Sequence, residues 1–600
     1  MKKLLLTSLF AIFMASIAWA EPELIPGSTT VYWEIIDNTL HITGTGDMPD
    51  FENADMQPWA ASRNNIMQLN ISDKITAIGN NAFCYCYEFG GTLVIPDKVK
   101  TIGDSAFYYC TTLNKLVLGS ELEVIRKSAF AYCYGLTGTL TIPNNVKTIG
   151  ESAFNACTRL DSLVLGSAVE TIENDAFSTC RGLTGTLIIP DNVKTIGGSA
   201  FSNCGNLTTI MVSNDNVNYA SENGILYDKA KRTLIACPAG KQGMLTIPEN
   251  IIAIGDGAFA GCMGLVGTLN LPDNIETIGN YAFELCRGFT GTLTIPNKVT
   301  NIGEGAFHTC DKLDSLVMRS ELESIESHTF AYCYGLTGTL IIPNSVTYIG
   351  RNAFRYCNNL TGTLTIPDKV KTVGEGAFAD CSKLDSLVLG SAVETIVNGA
   401  FADCSGLTGT LVIPNSVTNI GSLAFRNCNN LTGTLIIPDK VTAIERQVFY
   451  NCSKLEALVL GSALDTIGGN AFAGCNNLKD IKVLSVVPPA VYNDASFVGS
   501  WTATCKLYVP SGSEEAYKVA VGWRLFAQNT HTSTPSAKVA DIKVFVENGT
   551  IIIVGAEQPQ VSVFDIQGRH IFSDTINRIE ALQTGVYIVK VGSESVKVVL

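Results

Sequence analysis

Residues Leu136 to Cys157 read LTGTLTIPNNVKTIGESAFNAC, and the placing of apolar side chains in this stretch decides the fold. Leu140 and Ile142 alternate with Thr139 and Thr141, the period of two expected of a strand with one buried face. Pro143 ends the strand, Asn144 and Asn145 make a turn, and Val146 and Ile149 point back inward. Gly150 permits a bend, and Phe154, Cys157 and Leu160 close the coil on the far side. One short strand per turn of chain, stacked in parallel on its neighbours, predicts a continuous sheet on one side and irregular or short helical turns on the other.

The stretch is one copy of many. Phe-x-x-Cys occurs sixteen times between Phe83 and Cys475, with copies 23 or 24 residues apart and a single gap of 58 after Cys204. A period that short is the mark of a solenoid. Two forms of the unit occur, a longer one with Gly-Thr-Leu-x-Ile-Pro, as at Gly338–Pro343, and a shorter one with Ser-Leu-Val-Leu-Gly, as at Ser386–Gly390. The wide gap holds a normal unit and 34 further residues, in which Gly224–Asp228 and Thr233–Ala236 flank Lys-Ala-Lys-Arg. That pattern predicts a small hairpin near 213–243 projecting from the stack, either a binding element or a tolerated surface insertion.

Repetition also governs the reading of composition. Hydrophobic residues make up 46 % of the 600 and charged residues 16 %, which suits coils that fill their interior and are covered by the next coil. Sixteen of the nineteen Cys recur at one repeat position, so a ladder of buried thiols is expected rather than a disulfide framework, although in-register neighbours lie within pairing range. Cys84, Cys237 and Cys505 stand outside the ladder. A net charge of −14 lacks the basic footprint that nucleic acid requires.

Residues 1–20 read as a signal peptide, with Lys2 and Lys3 before an apolar stretch and Ala18-Trp19-Ala20 as the cleavage site at Ala20. No later run is long enough for a membrane helix, so an exported chain without an integral membrane segment is expected. Residues 528–540 read as a linker. Six strand-like runs follow in 541–600: Ile542–Val546, Thr550–Val554, Val561–Asp565, His570–Phe572, Gly585–Val591 and Val596–Leu600.

The recurring phrase A-F-x-x-C-x-x-L-x-x-L-x-I-P-x-x-V-x-x-I-G resembles the treponemal-type leucine-rich repeat of BspA-like bacterial surface proteins. The resemblance implies a mainly β fold: a leucine-rich-repeat solenoid of about 16 coils over 71–480, with a parallel sheet on its concave side. Tyr32-Trp33, Leu40–Pro49 and Pro58-Trp59 are similar to that family's lead-in, giving an N-terminal β cap at 21–70. Pro488-Pro489, Leu507–Pro510 and Tyr517–Trp523 are similar to its closing segment, giving a C-terminal cap at 481–527. Further on, Val561-x-Val563-Phe564-Asp565-x-x-Gly568-Arg569 and Gly585-Val586-Tyr587-Ile588-Val589-Lys590, with Lys597 in the final run, resemble the C-terminal sorting domain of type IX secretion cargo. That likeness implies a small immunoglobulin-like β-sandwich, the secretion machinery as partner, and an outer-surface or secreted location in a Gram-negative bacterium.

Catalytic signatures are missing from the sequence. The five His form no paired-ligand spacing, and no nucleophile elbow, P-loop or dinucleotide fingerprint occurs, so neither an enzyme, a metal nor a cofactor is expected. Asp161, Asp314 and Asp385 each precede Ser-Leu and Asp104 precedes Ser-Ala; these tripeptides resemble an O-glycosylation acceptor motif, with Ser162 as a candidate, and read equally as solvated serines beside a strand. The leading expectation is a monomeric adhesin holding host matrix protein, cell-surface protein or glycan. Its candidate surfaces are the outward strand positions Thr139, Thr141 and Thr186 and the island residues Tyr227, Asp228, Lys229, Lys231 and Arg232. Alternatives are a self-assembling structural surface protein and, remotely, an ice-binding face built on paired threonines.

Overall fold

The computed structural model describes residues 22–319, 321–532 and, beyond these, the strand segments 543–547, 550–554, 560–565, 570–575, 578–579, 586–591 and 594–599. Ala20, Gly568, Arg569 and Gly585 lie outside the described residues. The chain divides into two compact units. One comprises the described residues up to Leu336 together with Ala353–Cys357, and the other Thr337–Asn352 with the described residues from Asn358 onward.

The coil of Leu136–Cys157 follows its sequence. Leu140 and Ile142 are buried while Thr139 and Thr141 face solvent. After Pro143 the turn is stitched between coils: the Asn144 carboxamide oxygen accepts from the Ser167 amide at 3.1 Å, and the Asn145 amide group donates to the Ser120 carbonyl at 2.9 Å. On the far side the Phe154 ring stacks between Phe130, 5.2 Å away and 6° from parallel, and Phe177, 5.4 Å away and 1° from parallel. Residues two before and two after this Phe, Ser152 and Ala156, are left-handed at φ 56° and 58°. Their amides and that of Phe154 each donate to the next coil at 2.8 Å, so the irregular side carries its own backbone ladder and leaves few amides unpaired.

Two strands form in each such coil, not one. The second is the two-residue Thr148–Ile149, paired in parallel with Val124–Ile125 and Thr171–Ile172. These short strands make the longer ladder of the first unit, a seven-stranded parallel sheet from Gly46–Asp47 to Thr195–Ile196. After the insertion Gly243–Met244, Leu265–Thr268, Phe289–Ile295 and Leu313–Met318 join in one four-stranded sheet. Before it the longer strands pair only two by two: Thr92–Val94 with Lys115–Val117, Gly138–Thr141 with Leu160–Val164, and Gly185–Ile189 with Leu207–Val212. The expected continuous sheet is thus interrupted, and Gly138 shows why. At φ 76° it turns its amide out of the ladder to donate to the Asp161 carboxylate at 3.0 Å.

The insertion after Cys204 also differs from expectation. Tyr219–Glu222, Ile225–Asp228 and Thr233–Ala236 form an antiparallel meander whose last strand pairs in parallel with Ala253–Ile254. It is therefore built into the stack and does not project from it. On the Phe side the Cys204 coil bonds directly to the Cys262 coil, through Ser199 N to Asp256 O at 2.9 Å and Asn203 N to Ala260 O at 3.0 Å. The extra chain adds strands without a further Phe-x-x-Cys turn. Leu226 and Leu234, both fully buried, supply its core.

The N-terminal end of the first unit is closed by a hairpin, Val31–Ile36 with Thr39–Gly44, turned at Asp37 and Asn38, both left-handed. Trp59 stacks 5.5 Å from Phe83 as the terminal ring of the Phe column. In the second unit the column runs Phe378, Phe401, Phe425, Phe449, Phe472 and Phe497 at 5.4–5.7 Å, and Trp523 closes it 5.2 Å from Phe497. Thr530–Thr532 pairs with Leu507–Val509, so residues 528–532 belong to the cap and not to the expected linker. The 543–599 segments form a three-stranded and a four-stranded antiparallel sheet, including a short strand, Arg578–Ile579, beyond the six anticipated.

All nineteen cysteines are free and buried, the sixteen of the expected ladder together with Cys84, Cys237 and Cys505 outside it.

Candidate binding surfaces

The outward position that follows the buried Leu of each long strand repeats from coil to coil. In the coils before the insertion it holds Val94, Val117, Thr141, Val164, Ile188 and Met211. Register pairs these side by side: Val94 with Val117, Thr141 with Val164, Ile188 with Met211. Val164, Ile188 and Met211 are each more than half exposed. A strand forces alternate side chains to opposite faces, so burying Leu140, Leu163 and Leu187 necessarily presents these residues to solvent. The result is a stripe of exposed, mainly apolar side chains in which Thr141 stands between Val117 and Val164, and exposed apolar patches mark interaction sites.

Thr139, Thr141 and Thr186 lie on this face as expected, all exposed. Two positions back from the stripe runs a row of hydroxyls: Thr139 and Ser162 are 2.7 Å apart, and Thr292 and Ser315 repeat the contact at 2.7 Å. Asp161 and Asp314 beside them accept from Gly138 and Gly291 amides at 3.0 Å. The Asp-Ser-Leu tripeptides therefore stitch coil to coil, with Ser162 engaged by its neighbour. Val94, Val117, Val164, Ile188 and Met211 recur at one repeat position, and that recurrence is the signal in the sequence that the face is apolar as well as hydroxyl-bearing.

The island residues behave differently. Tyr227 is 3 % exposed, and burial, with Cys237 and Glu222 nearby, pushes its phenol up to about 12. Asp228 caps the turn, accepting from the Arg232 and Thr233 amides at 2.7 Å each. Lys229 donates to the Asn216 carbonyl, and Lys231 pairs with Glu222 at 2.7 Å. Of the five, Arg232 is the one whose exposed side chain carries charge beyond the turn's own bonds. Tyr227 thus presents no ring to a ligand. At the C-terminal end, Tyr587 and Lys590 lie on Val586–Val591 and Lys597 on Glu594–Val599, with Ile588 opposite Lys597.

Among the described residues, no group of three or more His, Cys, Asp or Glu is placed to hold a metal ion, and no helix is long and apolar enough to cross a membrane.

Comparison with curated proteins gives no match. Among solved structures, the chain is similar to a leucine-rich repeat protein from Eubacterium ventriosum ATCC 27560, at 25 % identity over 67 % of this chain and 93 % of that one, with a TM-score of 0.47. It is similar to a leucine rich cell surface protein from Faecalibacterium prausnitzii A2-165, at 25 % identity over 61 % and 95 %, TM-score 0.45. It is also similar to the pneumococcal vaccine antigen PcpA, at 18 % identity over 85 % and 97 %, TM-score 0.29. The BspA type leucine-rich repeat region is recognised in six copies within residues 55–184, 136–229, 241–361, 325–410 and 406–489. Those matches take in well over half of the 600 residues, in the stretch where Phe column, thiol ladder and paired strands repeat, and the chain belongs to the BspA-type leucine-rich repeat family.

Proposed function

We propose that this protein is a non-enzymatic adhesin, exported and held at or released from the outer surface of a Gram-negative bacterium, that binds host matrix protein, cell-surface protein or glycan along its strand face. The observation that supports this most is the apolar stripe of Val94, Val117, Val164, Ile188 and Met211 on paired strands. A row of equivalent side chains engages an extended ligand at several weak points at once, which raises avidity without a deep pocket. The type IX sorting reading of 541–600 rests on the motif around Gly568, Gly585 and Lys590, and supports export across the outer membrane.

Retention from a panel of matrix proteins and glycans by the full chain tests the adhesin reading. A Val164→Asp, Ile188→Asp double variant is expected to lose the retained partner, and no retention across the panel would overturn the reading. The same exposed stripe favours one second reading, association with further copies of this chain. Light scattering over a concentration series decides it, since a mass that stays monomeric removes self-assembly.

A further inference from the structure

A second surface lies on the irregular side of the first three coils. Tyr85, Tyr87, Tyr108, Tyr109, Tyr132 and Tyr134 form one aromatic cluster there, with Tyr109 and Tyr132 stacked at 4.6 Å and 20°, and Tyr109 and Tyr85 at 5.9 Å and 39°. Tyr134 crosses Tyr109 at 89°. Tyr87 and Tyr134 are 39 % and 37 % exposed, and the other four are half-buried.

The fold does not call for these rings. Tyr85, Tyr109 and Tyr132 occupy the left-handed position before the ladder Cys, at φ 64°, 61° and 61°, where a bulky side chain is disfavoured. The next three coils place Ala156, Thr179 and Asn203 there at φ 58°, 62° and 56°, with the same column of stacked Phe behind them. Three bulky aromatic residues in succession at a left-handed position, where Ala156 and Asn203 show that small or polar residues also serve, point to a use on the outside.

The shape of the cluster narrows that use. Tyr87 and Tyr134 directly follow Cys86 and Cys133, two coils apart, and the intervening coil has Thr111 at that position. Two rings therefore flank a notch about 10 Å long, twice the coil spacing, beside Tyr109. A polyproline II helix advances about 9 Å per three-residue turn and leaves every backbone carbonyl without an internal partner. It seats between aromatic rings at little entropic cost, and phenol hydroxyls donate to its carbonyls. Burial is the largest cause that raises Tyr85 and Tyr134 and pushes Tyr108 up to about 12, so these three phenols stay neutral at pH 7. Arg63 near Tyr85 and the exposed Glu88 next to Tyr87 are the charged groups at the edge. On a chain of net charge −14, such a surface selects a neutral ligand over a polyanion.

We propose that the notch between Tyr87 and Tyr134 docks a proline-rich segment in the polyproline II conformation. This goes beyond the adhesin reading, which concerns the strand face. A related cluster at Tyr332, Tyr334 and Tyr356 has a single protruding ring, Tyr334, with Asp311 in place of a tyrosine on the coil before it, and it serves as the internal control.

The test is titration of the full chain with a labelled proline decamer by fluorescence anisotropy, with a neutral β-linked glucose hexamer as the competing chemistry. Binding of the decamer, weakened roughly tenfold or more by Tyr87→Ala with Tyr134→Ala and unchanged by Tyr334→Ala, is expected, with little dependence on salt. Thr111→Trp fills the notch without removing a ring and is expected to abolish binding with the thermal midpoint retained, which covers the case where the double variant unfolds. No decamer binding, decamer binding indifferent to the double variant and to Thr111→Trp, or glucose-hexamer binding alone would overturn the proposal. Matrix retention that persists in these variants leaves the adhesin reading standing, and its loss only in the Val164→Asp, Ile188→Asp variant keeps the two surfaces distinct.

Discussion

The thiol of Cys157 donates to the backbone carbonyl of Phe130 in the preceding coil, 3.3 Å away. The relation recurs along the first unit, for example Cys110 to Phe83 at 3.3 Å and Cys286 to Phe259 at 3.1 Å, and within the second, Cys404 to Phe378 at 3.1 Å. Phe130 O also accepts the Cys133 amide at 3.4 Å. Cysteine at this position is thus small, apolar and a donor at once. Cys157→Ala removes the donor and the sulfur volume, and is expected to cost about 2 kcal/mol, read as a lower urea midpoint with an unchanged slope.

The same thiols make the fold sensitive to alkali. Burial is the leading cause that raises them, Cys133 and Cys475 to about 12 from the ordinary 9.0, and Cys157 and Cys286 well above it. The folded chain therefore holds these protons when the unfolded chain has released them. Their contribution is complete below pH 9 and falls as pH rises toward 12, by about 1.4 kcal/mol per thiol per pH unit. Thermal midpoints are expected to be flat between pH 7 and about 8.5 and to drop steeply by pH 10, and a melting series in non-reducing buffer checks this.

Phe154, Cys157, Leu140 and Ile142 were legible because each repeats with its coil, so sixteen copies reinforce one reading. Thr148–Ile149 was not, since a two-residue strand is shorter than the alternation that identifies strands; only its hydrogen bonds to Val124–Ile125 and Thr171–Ile172 define it. The island was placed correctly as an antiparallel element by Lys-Ala-Lys-Arg, but its fusion to the ladder depends on Leu234 meeting Ile254, a pairing set by tertiary packing. Thr530-His531-Thr532 read as linker because its side chains are polar, though its backbone extends the edge of a sheet. Of the surfaces, the threonine positions were visible from alternation, whereas the notch beside Tyr109 needs the distance between coils.

Glycines in one coil differ sharply in what they tolerate. A Cβ on Gly166 would lie 2.2 Å from the Pro143 carbonyl oxygen of the neighbouring coil, while one on Gly138 would meet nothing within 4 Å. Gly166→Ala must push two coils apart and is expected to cost about 3 kcal/mol or more. Gly138→Ala carries only the left-handed backbone penalty, about 1–2 kcal/mol. Denaturation of both variants under the same conditions checks the order, and equal losses would contradict the close coil contact at Gly166.

Trp59 and Trp523 end the Phe columns of their respective units, at 1 % and 0 % exposure. Trp59 covers Phe83 face to face and takes Phe51 and Trp33 edge-on at 5.8 and 5.9 Å, while the Trp523 indole N–H donates to the Pro489 carbonyl at 2.8 Å. An open end exposes a stacked ring and strand edges to water. Trp59→Ala is expected to cost about 3–5 kcal/mol. Because each coil contacts chiefly its neighbours, the loss should stay local. Hydrogen exchange followed by mass spectrometry should show faster exchange in the Cys86 and Cys110 coils, with little change around Cys286. Uniform acceleration across the first unit would instead mean that its coils unfold as one cooperative block, and that the cap at Trp59 holds the whole unit closed.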